Sequence, residues 1–214
     1  MPRPRVYDPA QVLDAVESLT ARSGPAAVTI RAISAATGAS NGALYHGFGS
    51  RAGLIAAAWL RATRSFLALQ AELVDAVADP VEAVVAAADA PVVFAERHPD
   101  ACGLLFAIQR DDLPDDALSP ELAVQVRGAD TELIGLLIRL ADALWERRDA
   151  AAVDTITTCV VDLPTAVMLS RNRLGSTLAR AHLHAAVRAV LTVGPPPAVQ
   201  RSWDRRMNQK GSTP

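Results

Sequence analysis

The sequence is poor in cysteine and in aromatic residues, and both shortages limit what it can build. Its two cysteines, Cys102 and Cys159, cannot form a disulfide framework, so a reducing compartment is expected. Neither belongs to a Cys-x-x-Cys pair, which leaves a structural zinc site without support. Only 4% of the residues are aromatic, so aliphatic side chains must fill the core.

The chain also lacks a membrane signal. Its first residues contain no apolar run of the signal-peptide kind, and no stretch approaches the roughly 18 apolar residues of a membrane span. The best candidate is interrupted by Asp89, Glu96 and Arg97. We therefore expect a cytoplasmic protein with no membrane partner.

Alanine is the residue that the sequence has in excess. The chain contains 42 alanines in 214 residues, and half of its residues are hydrophobic. Because alanine is the best helix former and a poor strand residue, this composition predicts an all-α protein. The high apolar fraction and the net charge of only -2 exclude a disordered chain.

Charge is distributed unevenly along the chain. Residues 1–64 carry seven arginines against three acids, whereas residues 65–199 carry ten arginines against nineteen acids. A basic N-terminal segment on an acidic body favours a nucleic-acid partner at one end of the molecule. The overall pI of 6.1, however, is lower than is typical of dedicated nucleic-acid domains.

Turn and capping residues divide the sequence into about nine helices. The short N-terminal helices are predicted from Asp8-Pro9, from the capping residues Thr29 and Ser40, and from the stop signals between them. The remaining helices are longer, and the one after Pro120 has two apolar stripes, which predicts that it is the central helix. The expected ranges are 9–22, about eight residues after Thr29, 41–48, 51–78, 80–97, 100–109, 120–148, 149–172 and 176–193. Kinks are expected at Pro91 and at Pro164.

The second and third helices have the dimensions of a helix-turn-helix. Their inward positions are small or apolar, as a close crossing requires: Ile33, Ser34, Ala39 and Leu44. Their outward positions would face a DNA major groove: Ser40, Asn41, Gly42, Tyr45 and His46. An ordinary helical hairpin is the alternative.

The stretch from Thr29 to Phe48 reads TIRAISAATGASNGALYHGF and continues as GSRAGLI to Ile55. It resembles the tetracycline-repressor (TetR) family, whose pattern has Thr, Ile-Ala, Gly-Val-Ser, Leu-Tyr-x-His-Phe, Ser-Lys and Leu. The residues in register are Gly38, Ser40, Leu44, Tyr45, Phe48, Ser50 and Leu54. The departures are Ser34 and Ala39, which stay small, Gly47 in place of the family histidine, and Arg51 in place of the phosphate-binding lysine.

The resemblance implies two sets of DNA contacts. Phosphate contacts would come from Thr29, Ser40, Tyr45 and Arg51, and base contacts from Arg31, Asn41, Gly42, Ala43 and His46. Arg31 remains open between a guanine contact and a phosphate contact or solvated charge. Arg3 and Arg5 would either add a DNA-contacting arm or form a disordered terminus.

The resemblance also implies a homodimer that binds a palindromic operator and an effector pocket in the acidic body. The dimer seam would join the last two long helices, with Val153, Ile156, Val160, Leu163 and Val167 against Leu178, Ala181, His182, Ala185 and Ala189. The expected pocket residues are Phe94, Leu105, Phe106, Leu137, Trp145, Cys159 and Met168, for each of which ordinary core packing is the alternative. The chain is thus expected to be a repressor that a small-molecule inducer releases from DNA.

The expected organisation is a DNA-binding domain over residues 6–66, a ligand-binding and dimerisation domain over 67–194, and a flexible tail over 195–214. No catalytic residue, metal or cofactor is predicted, because His182 and His184 point to different faces of a helix. The acidic run Asp111–Asp116 is interpreted as a solvated loop. The rival interpretation is a helical small-molecule-binding or enzymatic protein with a vestigial DNA motif.

Overall fold

The protein is all helical over residues 8–197, the part of the chain that the computed structural model describes. The basic residues Arg3 and Arg5 and the tail from residue 198 onward lie outside this range. The nine α-helices of the described range are α1 Pro9–Ser23, α2 Ile30–Thr37, α3 Asn41–Phe48, α4 Arg51–Asp75, α5 Pro80–Arg97, α6 Pro99–Ala107, α7 Pro120–Trp145, α8 Ala150–Thr157 and α9 Thr177–Val193. The all-α prediction and the helix count are confirmed.

The N-terminal helices begin at the predicted capping side chains. Asp8 accepts a hydrogen bond from the Ala10 amide at 2.9 Å, which caps α1. Thr29, Ser40 and Ser50 each accept from the amide three residues later and so begin α2, α3 and α4. Gly38 ends α2 with φ of 72°, a left-handed conformation that costs glycine little.

The central helix is α5, and the prediction that gave α7 this place was wrong. Helix α5 packs against α4, α6, α7 and α9, whereas α7 leaves Val124 and Ile134 exposed to solvent. Between its ends, α5 is built almost entirely of alanine and valine, so neighbouring helices approach it on every side. Its one buried acid, Asp89, pairs with Arg180 and His184 of α9.

The predicted helix over 149–172 is not a regular α-helix. After α8 the backbone widens into two π-helical segments, Thr158–Asp162 and Thr165–Leu169, which flank Pro164. Proline has no backbone N–H, and in an α-helix its ring would collide with the carbonyl four residues earlier. The wider turns on both sides of Pro164 accommodate this defect, and the chain then turns before α9.

The segment Ala150–Leu169 corrects the expectation about apolar stretches. It is long and apolar enough to cross a membrane by length and composition, contrary to the expectation that no stretch approaches a span. In the fold it belongs to a protein core, because Ile156, Cys159 and Met168 are completely buried against α5 and α9. A core helix passes the same composition test as a membrane span.

Two hydrophobic clusters fill the described part of the chain. The first joins α1–α4 to α6 and the beginning of α7, and the second joins α5, α7, α8 and α9. Residues beyond position 66, such as Leu104 and Val126, therefore pack in the same cluster as the N-terminal helices. The division into domains at residues 66 and 67 stays a prediction.

Candidate nucleic-acid interface and effector cavity

The hairpin of α2 and α3 is held together as its sequence predicts. Ile33 and Leu44 are completely buried between the two helices and the rest of the first cluster. Ser34 donates its hydroxyl to the carbonyl of Ala39 at 2.7 Å, which fixes the turn at Gly38. Because Ser34 is small and makes this bond, it replaces the usual family alanine without opening the hairpin.

Helix α3 is also fixed against α4. A side chain at Gly53 would collide with the carbonyl oxygen of Phe48, the last residue of α3. Glycine at this position therefore allows the first turn of α4 to approach the end of α3 closely. The outward face of α3 takes its orientation from this contact and from the buried Leu44.

The residues expected to contact DNA lie on one side of this hairpin and on the first turn of α4. All of them are exposed except Ala43, which is half-buried. Tyr45 is the largest of these side chains, and 54% of it is exposed although its neighbour Leu44 is completely buried. Leu44 thus packs in the core, whereas the Tyr45 side chain is accessible to a binding partner such as DNA.

Thr29 and Ser40 have a structural role beside the predicted one. Each hydroxyl oxygen already accepts a hydrogen bond from a helix amide, at 3.1 Å from Ala32 and 3.2 Å from Ala43. A hydroxyl that accepts in this way keeps its own hydrogen to donate. The same side chain can therefore cap its helix and donate to a phosphate oxygen.

Arg51 is engaged inside the protein. Its guanidinium donates to the backbone carbonyls of Pro25 and Val28, in the segment that leads to Thr29. This contact connects the start of α4 to the start of α2. A guanidinium has five N–H donors, so Arg51 retains donors for a phosphate. Its role as a connector had no signal in the sequence.

Positive charge dominates this end of the molecule more strongly than the count over residues 1–64 indicates. No acidic residue occurs between Glu17 and Glu72, a stretch that contains five arginines. Arg61 is held by Asp14 and Glu17 of α1, with closest nitrogen–oxygen distances of 2.7 Å to each. Burial raises the pKa of Glu17, although the hydrogen bond from Arg61 acts in the opposite direction. Asp14 and Glu17 of α1 are thus bound to Arg61 of α4. The face formed by α2 and α3 carries no acidic residue.

A family comparison identifies this region. Residues 12–58 match the model of bacterial regulatory proteins of the tetR family. These residues therefore resemble the N-terminal domain of that family. The match includes the α2–α3 hairpin and the first turn of α4, which carry every residue of the predicted DNA-contacting set.

Solved structures show that the TetR fold extends over most of the chain. A putative transcriptional regulator from Pseudomonas aeruginosa PAO1 is similar with a TM-score of 0.67 at 19% identity, over 86% of this chain and 88% of that one. The TetR-family regulator PfmR from Thermus thermophilus has a TM-score of 0.64 at 20% identity, over 85% and 97%. The ketosteroid transcriptional regulator KstR2 of Mycobacterium tuberculosis has a TM-score of 0.60 at 19% identity, over 91% and 98%. No match to the sequence is found among curated proteins.

A cavity of about 550 Å³ lies in the body of the TetR fold. Its walls come from α4, α5, α6, α7 and the π-helical segments after α8. Phe94, Leu105 and Phe106 line it, as expected from the sequence. Four expected residues do not line it: Leu137, Cys159 and Met168 are buried in the second cluster, and Trp145 packs against the same cluster from the end of α7.

Sequence reasoning missed the part of the wall that the π-helical segments supply. Val161, Pro164 and Thr165 face the cavity because the π-helical segments change the direction of the side chains. The side-chain spacing of a regular α-helix cannot predict which residues of these segments point inward. Gln70 of α4 also lines the cavity, and its polarity within an apolar face was the available signal.

The cavity wall is mainly apolar, with a minority of polar side chains: Gln70, Gln109, Thr165, Ser170 and Asn172. None of the lining residues identified within 8–197 carries a formal charge. Phe66 and Phe94 meet edge to face in one wall, with ring centroids 5.5 Å apart. Cys102 lines the cavity too, and burial raises the pKa of its thiol to about 12. A thiol that stays protonated is not the activated nucleophile of a cysteine enzyme.

Helix α6 connects the cavity to the candidate DNA-binding end, which consists of α1, α2, α3 and the first turn of α4. Leu105 and Phe106 face the cavity, while Gly103 lies directly against Ala21 of α1. A Cβ atom at Gly103 would lie 2.8 Å from the Ala21 Cβ, so the two helices are in close contact at this point. Trp59 of α4 adds a second connection by donating to the carbonyl of Ile108, just after α6, at 3.2 Å.

The predicted dimer seam is divided between core and surface. On α9 the predicted residues Leu178, Ala181, His182, Ala185 and Ala189 are all exposed, with Leu178 at 65%. On the preceding segment Ile156 and Val160 are buried within the protomer's own second cluster, while Val153, Leu163 and Val167 are partly buried. Helix α9 therefore presents the complete predicted face, and the preceding segment presents part of its own.

Proposed function

We propose that the protein is a homodimeric transcriptional repressor that a small molecule releases from a palindromic operator. The observation that carries this proposal is the exposed acid-free face of α2, α3 and the start of α4, which lies within the TetR-family match. Its side chains supply the donors that phosphates and base edges accept. The exposed face of α9 supplies a surface for a second copy, and two copies would address two half-sites.

Release by an effector is proposed to act through α6. A ligand that fills the cavity would press on Leu105 and Phe106, and α6 would transmit the displacement to α1 through the Gly103–Ala21 contact. The response depends on how differently the ligand binds the DNA-competent state and the released state. A cavity ligand that does not distinguish these states would have no effect on DNA.

The test is DNA binding by the full chain to fragments selected from genomic DNA. We expect a two-fold symmetric site and an affinity that falls steeply with salt. Arg31→Ala should weaken binding by about 10-fold or more. If Arg31 reads guanine, sequence preference relaxes at one base pair of each half-site; if it holds a phosphate, the salt dependence declines by about one counterion.

The matched control for Arg31→Ala is Arg171→Ala. Arg171 is an equally exposed arginine, located after the π-helical segments rather than on the DNA-binding end. Its loss removes the same charge and should leave affinity for the selected site within about two-fold. Equal losses from both variants, or no selected site at all, would contradict the DNA-binding proposal.

The dimer is tested separately by light scattering on the full chain. A mass of about twice 22.5 kDa is expected at micromolar concentration. Ala185→Glu places a charge on the exposed α9 face and should reduce the mass to that of one copy, because an unpaired buried charge is costly. A wild-type mass of 22.5 kDa would exclude the dimer.

A further inference from the structure

One polar side chain in the body has an unusual environment. Gln70 is only 1% exposed, and it lies on the wall of the cavity, which is mainly apolar but also includes Gln109, Thr165, Ser170 and Asn172. Its Nε2 donates to the backbone carbonyl of Ala87 at 2.9 Å. Its Oε1 is buried and has no hydrogen-bond partner among the described residues. A buried carbonyl oxygen without a partner is unfavourable, because it has lost its hydrogen bonds to water and gained none in the protein.

The orientation of Gln70 follows from a proline in the next helix. In an α-helix the carbonyl of Ala87 would accept from the amide of residue 91, but residue 91 is proline and has no N–H. Gln70 supplies the missing donor. The amide cannot be turned around, because Oε1 would then face another acceptor. Nε2 is thus committed to Ala87, and Oε1 is left as an acceptor.

From this geometry we propose that the effector of the cavity is an uncharged, mainly apolar molecule with one hydrogen-bond donor, a hydroxyl or an N–H, which pairs with Gln70 Oε1. The inference rests on the proposed function, because it specifies the ligand of the same cavity. An uncharged ligand follows from the wall, which has no charged group to pair with an ion. A donor follows from Oε1, which can only accept.

The test compares three probes that differ at one functional group: β-naphthol, its methyl ether and the corresponding naphthoate. Dissociation constants are measured by calorimetry on the full chain without DNA. We expect the naphthoate to bind weakest. The informative quantity is the ratio of the constants for the alcohol and the ether, because apolar contacts are shared by both. Decanol, its methyl ether and decanoate repeat the comparison for an elongated ligand.

The decisive variant is Gln70→Met combined with Pro91→Ala. Methionine removes the acceptor at similar volume, and Pro91→Ala restores the peptide N–H that the Ala87 carbonyl lacks. No backbone group is orphaned, so the fold should be retained. We expect the alcohol-to-ether ratio to shift by about 10-fold toward the ether relative to wild type. Pro91→Ala alone is the control for the lost proline ring in the cavity wall; it keeps the Gln70 amide, whose oxygen can still accept although its nitrogen is no longer committed to Ala87.

The outcomes separate this inference from the proposed function. An unchanged alcohol-to-ether ratio, tightest binding by a carboxylate, or no binding of any probe would overturn the inference. DNA affinity is measured in parallel on the selected operator. If the ratio shifts as expected but no probe releases DNA, the ligand class stands and the release step fails. If a charged probe releases DNA, the release step stands and the ligand class fails.

Discussion

The DNA-binding end and the body of this protein hold their polar groups in different ways. At the DNA-binding end, the side chains that begin α1 to α4 bond to amides two or three residues away. In the body, Arg180 reaches Asp89 across 91 residues of sequence, and Arg188 reaches Glu82 across 106. The helices of the body begin at local caps as well, and Arg61 reaches Glu17 across 44 residues at the first end, so the regions differ in how far their side-chain pairs reach along the sequence.

The two regions also differ in how completely their interiors are packed. The DNA-binding end has a compact set of buried residues behind a face that makes few internal contacts. The body contains a cavity, an unpartnered acceptor and a helix widened around a proline. A surface held by close packing beside a body that contains a cavity is what the proposed effector-controlled regulator would require.

The largest effect should come from the buried side of α3. Leu44→Ala removes a completely buried side chain and should lower the free energy of unfolding by about 2–5 kcal/mol. Its neighbour Tyr45 is exposed, so Tyr45→Ala should change the free energy of unfolding by less than about 0.5 kcal/mol. Urea denaturation measures both, and DNA affinity should be lost in Tyr45→Ala with the fold intact.

The opposite result, a stable Leu44→Ala and a destabilised Tyr45→Ala, would contradict the distinction between a buried and an exposed side of α3. A stability loss in Tyr45→Ala would mean that the outward face is part of the core rather than a docking surface. A neutral Leu44→Ala would mean that α3 does not depend on the packing we describe.

The sequence was informative where structure is set locally. The limits of α3 and α5 were predicted to the residue, because capping side chains, glycines and prolines mark them. The inward role of Leu44 followed from helical spacing. Pro164 marked a kink but not the widening of the turns beside it. The central place of α5 and the second role of Arg51 had no local signal. Each depends on contacts between residues far apart in the sequence.

A second, smaller effect is expected from the long-range pairs of the body. Asp89 accepts from Arg180 at 2.8 Å and lies 3.0 Å from His184, with its side chain 11% exposed. The hydrogen bond from Arg180 to Asp89 raises the pKa of the Arg180 guanidinium. Asp89→Ala should lower the free energy of unfolding by about 2 kcal/mol, less than for a fully buried pair because Arg180 is partly exposed.

The matched control joins the same two helices. Glu82 of α5 pairs with Arg188 of α9 at 2.7 Å, but both side chains are nearly half exposed. Glu82→Ala should therefore cost less than about 1 kcal/mol in the same urea experiment. If both variants were equally mild, burial would not distinguish the two pairs, and the body would owe its stability to apolar packing alone.

A change in stability smaller than that of Asp89→Ala should come from the contact that joins the two regions. Gly103→Ala would place a Cβ 2.8 Å from the Ala21 Cβ, and overpacking of this kind costs about 1–3 kcal/mol. The helix propensity gained by replacing glycine recovers about 1 kcal/mol, so the net loss should be near 1 kcal/mol. The effect on function should be larger than this, because the added methyl group pushes α1 away from α6, and a cavity ligand is proposed to displace α1 in the same direction.

The double variant Gly103→Ala with Ala21→Gly tests this directly, since it moves the methyl group from one helix to the other. We expect Gly103→Ala to weaken operator binding in the absence of ligand and the double variant to restore it, both measured by fluorescence anisotropy. If operator affinity is unchanged in Gly103→Ala while stability falls, the contact between α6 and α1 packs the regions together but transmits nothing. The two regions would then be joined without being coupled.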